Sequence, residues 1–142
     1  MQNPVIKYKK LHIDAKAPFY ATDGAAACDF HSIEDITILP HETKKIKTGI
    51  AIEIPKDFFM KLEGRGSLSS KGIIKVGGVA DSDYRGEINI ILHNSTSENF
   101  NIMKGDRIAQ GVVMNIYQAQ FQETDKLSET VRGDGAFGST GK

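Results

Sequence analysis

Short apolar alternations with a period of two recur along this chain of 142 residues. Ile50, Ile52 and Ile54 alternate with Ala51 and Glu53, and Phe58, Met60 and Leu62 with Phe59, Lys61 and Glu63. Ile108, Gln110, Val112, Met114 and Ile116 form another such run. Successive side chains of a strand point to opposite faces, so each run predicts a strand with one face in a core. Ile36 to Leu39 and Ile88 to Leu92 are rich in β-branched residues and predict two more. Turn residues separate them at Pro40, Pro55-Lys56-Asp57, Gly64 to Gly66, Gly77-Gly78 and Gly105-Asp106. No long window has a helical period, and the one short helix or turn expected lies near Leu68 to Lys71. Many short strands with frequent turns point to an all-β sandwich, barrel or jelly roll. A chain of this length buries roughly 70% of its unfolded surface in one domain, and no repeat or linker divides it.

Charge and cysteine content narrow the function. Lys plus Arg number 18 and Asp plus Glu 18. This balance argues against nonspecific nucleic-acid binding, which needs net or clustered positive charge. An anionic ligand must be held by locally placed cations and backbone amides. Cys28 is the single cysteine, which excludes an internal disulfide or a cysteine-rich zinc site. His12, His31, His41 and His93 are scattered without metal-ligand spacing. Met1 to Lys10 is polar and basic, unlike a signal peptide or a membrane span. The expectation is a soluble intracellular protein, cytoplasmic or nuclear according to host, without membrane association.

Five segments carry residues suited to chemistry. Asp29 lies in a strand-like stretch, Ala26 to Phe30. Gly64 to Gly72 (GRGSLSSKG) combines converging amides, an arginine and hydroxyls, the makings of an anion cradle. Gly78 to Gly86 (GVADSDYRG) places two carboxylates, a tyrosine and an arginine in one turn. Gly105 to Gln110 (GDRIAQ) leads a turn into a strand. Arg132 to Lys142 (RGDGAFGSTGK) has four glycines and a single large apolar side chain, Phe137. Taken singly, the first four also read as ordinary strands and turns, and the last as a disordered tail.

Taken in order, the five resemble the five motifs of the trimeric dUTPase family from about Ala25 to the C-terminus. DSDYRG at Asp81 to Gly86, GDRIAQ at Gly105 to Gln110 and the AFGST of Ala136 to Thr140 are the most specific pieces. The resemblance implies a jelly-roll-like, distorted β-barrel over residues 1–131 and a glycine-rich tail, 132–142, that closes over a neighbouring subunit's site. It implies a homotrimer in which one subunit supplies the base and sugar pocket, a second the phosphate-binding motifs and the third its tail. The implied reaction is Mg²⁺-assisted attack of water on the α-phosphorus of dUTP, giving dUMP and pyrophosphate. That reaction limits uracil in DNA and supplies dUMP for thymidylate synthesis.

The same resemblance assigns roles. Asp81 is the expected general base. Arg65 and Arg132 neutralise phosphate charge, while Gly66, Ser67 and Gln110 hydrogen-bond the phosphates. Tyr84 packs beneath the deoxyribose and excludes a 2′-hydroxyl. Gly78 and the strand backbone at Asn89 border and read the uracil, and Phe137, with Gly138 and Ser139 after it, covers the ring. Asp29 is an indirect metal partner, through water. The chain departs from the family pattern at Ala27-Cys28, where a glycine and an aromatic are usual. It departs again at Gly66, where many members have serine, and at Ala80 and Gly111, where larger aliphatics stand. Loss of the Gly66 hydroxyl leaves one phosphate contact to Ser67 or the Gly66 amide, and Ala80 and Gly111 loosen packing unless neighbours compensate. Two other readings share the fold: a deaminase acting on dCTP, and a catalytically weak, nucleotide-responsive regulatory protein.

Overall fold

The computed structural model describes residues 3–138. Ten strands and one short helix follow in order: β1 (Lys7–Lys10), β2 (Cys28–His31), β3 (Ile36–Ile38), β4 (Thr43–Glu53), β5 (Phe58–Glu63), α1 (Gly66–Ser69), β6 (Ile73–Val76), β7 (Val79–Ala80), β8 (Glu87–Asn94), β9 (Phe100–Ile102) and β10 (Arg107–Asn115). One antiparallel sheet has the order β1-β4-β8-β6 and a second β2-β10-β5-β7, with β3-β9 as a separate pair. The all-β, jelly-roll-like expectation holds. The helix starts at Gly66, two residues before the expected stretch.

Alternation fixes the core. Ile50, Ile52 and Ile54 are buried, and so are Ile88, Ile90 and Leu92 of β8. They pack against Phe30 of β2, Met60 and Leu62 of β5, and Ile108 and Ala109 of β10 in one cluster. Each fully buried side chain of this size contributes about 1.5–3 kcal/mol. The buried Asn94 is matched: its amide donates to the Ile38 and Glu98 carbonyls at 3.0 and 2.7 Å.

β10 departs from the expected phase. Its register against β2 slips between Arg107 and Ala109. The extra residue buries Ile108 and Ala109 in succession and turns Gly111 and Val113 toward the core. Met114, expected inside, is exposed. A β-bulge adds one residue to one strand and thereby exchanges the faces beyond it.

Two of the sequence departures have a packing explanation. A Cβ on Gly111 would lie 2.5 Å from the Met60 sulfur and 3.0 Å from the Phe30 ring, so Met60 and Phe30 already fill the space. Ala80 is buried opposite Met60 in the β5-β7 ladder. After β10, residues 116–138 form no strand or helix, and Tyr117, Phe121, Leu127 and Val131 lie exposed. No helix among the described residues is long and apolar enough to cross a membrane.

Candidate active site

The end of β6 creates the first half of the site. β6 pairs with β8 only as far as Val76 opposite Ile91. Gly77, at φ 75°, then turns the chain away. Glu87 to Ile90 thus have a ladder partner on the β4 side alone. In a strand, alternate residues aim their N–H and C=O to opposite edges. The Thr48 hydroxyl of β4 bonds the Ile88 carbonyl, which places the peptide edge of Asn89 on the side that β6 has vacated.

A cavity of about 250 Å³ opens there, bordered by Gly78, Asp81, Tyr84 and Asn89 and floored by Leu62 and Ile88. Its turn is stitched to β5: the Leu62 N–H donates to the Gly78 carbonyl at 2.7 Å. The Lys75 ammonium donates to the carbonyls of Leu62 and Gly77. A Cβ on Gly78 would come within 2.7 Å of that ammonium and 3.2 Å of the Leu62 oxygen, so a side chain there would displace Lys75 and press on the β5 backbone. Desolvation holds the Lys75 ammonium below its ordinary pKa, partly opposed by Glu63.

The far wall is held by a single carbonyl. Glu87 O accepts from the Tyr84 hydroxyl at 3.0 Å and from the Asn89 amide nitrogen at 3.1 Å. Both lone pairs of that oxygen are thereby used. The Asn89 amide is oriented by this bond, and its Oδ1 is buried without a partner. Tyr84 lies so close over Gly86 that any Cβ there would collide with its ring. Its backbone N–H closes the turn to Asp81 O at 3.2 Å.

The second half lies around Asp29. This carboxylate is buried in β2 and held by two guanidinium groups, Arg65 Nε at 3.4 Å and Arg107 Nη1 at 3.1 Å. Arg65 also donates to the Arg107 carbonyl at 3.2 Å. Gln110 pairs with Asp29 in the ladder and donates to the Gly64 carbonyl at 2.8 Å, next to Arg65. Around Gly66 there is open space: a Cβ added there meets nothing within 4 Å. A second cavity, of about 630 Å³, is bordered by Arg65, Ser67 and Arg107 together with Lys16, Phe19 and His31.

The two cavities share no lining residue. The chain thus gathers Gly78, Asp81, Tyr84 and Asn89 in one place, and Arg65, Ser67, Gln110 and Asp29 in another. Arg132, Phe137 and Gly138 border neither; Arg132 Nε bonds the nearby Gly135 carbonyl at 2.9 Å, and Phe137 is fully exposed. Ser139 lies outside the described residues. Sequence reasoning missed Arg107 as a holder of Asp29, though it stands inside GDRIAQ. It also missed Lys75, whose signal was a lone lysine within the apolar run Ile73 to Val76.

A family model described as dUTPase matches residues 14–141. The deoxyuridine 5'-triphosphate nucleotidohydrolase of Nautilia profundicola is 46% identical over 140 residues, covering 96% of this chain and 99% of that protein. The Helicobacter pylori (strain P12) protein of the same name is 42% identical over 139 residues, with 96% of each covered. Among solved structures, a Staphylococcus bacteriophage 80alpha dUTPase with dUPNHPP superposes with a TM-score of 0.91 at 26% identity, covering 97% of this chain and 99% of that one. The chain belongs to the dUTPase family.

Proposed function

We propose that this protein hydrolyses dUTP to dUMP and pyrophosphate, with Asp81 as the base that orients and deprotonates the attacking water. The carrying observation is the small cavity in which Asp81, Tyr84, Gly78 and the unpaired edge of Asn89 converge. A free peptide N–H and C=O side by side suit the imide edge of uracil. A base with a different hydrogen-bonding edge would leave buried groups unpaired, which discriminates strongly. The tyrosine ring, locked over Gly86, suits a sugar without a 2′-hydroxyl.

The phosphates are assigned to Arg65, Gly66, Ser67 and Gln110. Since these border a different part of the chain from Asp81, a complete site needs more than one subunit. The homotrimer is the assembly that supplies it, with Arg132, Phe137, Gly138 and Ser139 of residues 132–142 closing over a neighbour's nucleotide. Exposure of Phe137 in the single chain accords with a lid whose surface lies elsewhere.

Mg²⁺ fits this scheme as an ion carried on phosphate oxygens. The described residues contain no cluster of three potential metal ligands, and both oxygens of Asp29 are taken by guanidinium groups. Asp29 would therefore reach the ion through water, while Asp81 faces the reacting water. When bound, Mg²⁺ supplies neutralisation of charge across the phosphates.

Pyrophosphate release tests the reading, with dUTP, dTTP, dCTP and UTP compared at equal concentration in the presence of Mg²⁺. The expected result is rapid release from dUTP alone. Asp81→Asn should keep dUTP binding and lose about 10²–10⁴-fold in turnover. Binding of dUTP by the wild type without release from any nucleotide would assign the protein to the regulatory class instead.

A further inference from the structure

β6 carries a lysine on the face that packs inward. Ile73 and Lys75 share that face, opposite Asn94 and Leu92 of β8, and of the four only the lysine is not buried. β6 belongs to the first sheet and β7 to the second, so the chain crosses between sheets at Gly77-Gly78. Lys75 spans the same gap. From the first sheet its ammonium reaches the Leu62 carbonyl in β5 of the second, and the Gly77 carbonyl within the crossing. Withdrawing an ammonium from water is costly unless it is hydrogen-bonded, and these two carbonyls offset that cost.

The bond to Leu62 replaces half a rung of the β5-β7 ladder. That ladder pairs Met60 with Ala80 and Lys61 with Val79, so the next pair is Leu62 with Gly78. Two residues of a hydrogen-bonded antiparallel pair exchange both N–H···O bonds. Here one is made: the Leu62 N–H donates to the Gly78 carbonyl at 2.7 Å, while the Leu62 carbonyl accepts from the ammonium instead. That carbonyl faces the Cα of Gly78, 3.2 Å from where a Cβ would stand. The Gly78 N–H has no acceptor among the described residues, and Gly78 borders the small cavity with Asp81, Tyr84 and Asn89. An ammonium has three N–H donors, and the third of Lys75, a residue of the same wall, is likewise unspent.

We propose that Lys75 is a positioning residue for base recognition: its ammonium stands in for the Gly78 N–H on β5, pins the Gly77-Gly78 crossing and leaves that N–H to a carbonyl oxygen of the uracil ring. Without the ammonium the Leu62 carbonyl would lack a partner, and the Gly78 N–H would turn to it, closing the rung and withdrawing a donor from the pocket. The inference rests on the reading of this cavity as the base pocket. It adds a residue that lies between two of the motif segments, Gly64 to Gly72 and Gly78 to Gly86, and in neither.

Calorimetric titration of the full-length protein with dUMP and, separately, with inorganic pyrophosphate tests this. Lys75→Met keeps the side-chain stem and removes the donors. It should weaken dUMP binding about tenfold, leave pyrophosphate binding within about twofold, and raise KM for dUTP with kcat within about threefold of wild type. Lys75→Cys should show the same loss. Its alkylation with 2-bromoethylamine, which rebuilds an ammonium at nearly lysine length, should restore most of it, with the wild type, whose only cysteine is buried, as control. Unchanged dUMP binding in Lys75→Met, with Tyr84→Ala weakened, would overturn this inference and leave the base pocket standing. Unchanged dUMP binding in both would overturn the base-pocket reading as well. A joint loss of dUMP and pyrophosphate binding, or a loss that alkylation does not restore, would make Lys75 a general support of the fold and overturn its role in recognition.

Discussion

Gly66 and Gly86 look alike in sequence and differ in what surrounds them. A side chain at Gly66 enters open space, while one at Gly86 meets the Tyr84 ring. Gly66→Ser should therefore change kcat/KM for dUTP by less than about threefold; a large gain would mean that the Ser67 hydroxyl and Gly66 amide do not stand in for the usual serine. Gly86→Ala should lower kcat/KM by about tenfold or more and erode discrimination against UTP, as read in parallel assays with both nucleotides. His31 gives a pH dependence of known sign. Burial lowers its pKa in the folded state, so folding favours the neutral ring. That contribution is complete above the unfolded pKa of about 6.5 and is lost as pH falls toward the folded value. The wild-type melting temperature should drop more steeply between about pH 7.5 and 5.5 than that of His31→Phe. That Asp81 and Tyr84 border one cavity was legible in the sequence because a turn keeps its residues adjacent, while their roles came from the family resemblance. The carbonyl of Glu87, which orients Asn89, was not legible, because a backbone acceptor leaves no mark in residue type.

At the scale of elements, alternation located β4 and β5 and their inward faces, since period two is a property of the strand itself, while β-branched content located β8. It misread β10. A bulge depends on the partner strand, and nothing in Arg107-Ile108-Ala109 announces that β2 will accept one residue fewer. The same slip explains Gly111. In the unbroken phase position 111 points outward, and a larger aliphatic costs nothing; in the shifted phase it faces Met60 and Phe30. Gly111→Ala should destabilise the fold by about 1–3 kcal/mol through overpacking, measurable by denaturant unfolding. Pairing it with Met60→Ala should recover part of that loss if the clash is with the sulfur, and none if the glycine serves backbone freedom alone.

For the whole molecule, the separation of Asp81 from Arg65 predicts complementation. Asp81→Asn and Arg65→Met homotrimers should each be inactive. After joint unfolding and refolding in equal amounts, the whole population should regain roughly a quarter of wild-type activity, since about three quarters of the trimers are mixed and each of these has one intact site of three. Absence of recovery, with mixed trimers confirmed by mass, would place Asp81 and Arg65 in a site within one chain. Residues 116–138 have a different consequence, felt during synthesis. Under the proposed homotrimer, a newly made chain would carry Tyr117, Phe121, Leu127 and Val131 bare to solvent until it meets its own kind. The encounter of chains, a second-order event, then outlasts folding as the vulnerable interval, when exposed apolar surface invites aggregation and capture by chaperones. In that assembly, soluble yield would be governed by how quickly newborn chains find one another, and a cell making this protein slowly would leave each one unprotected longest.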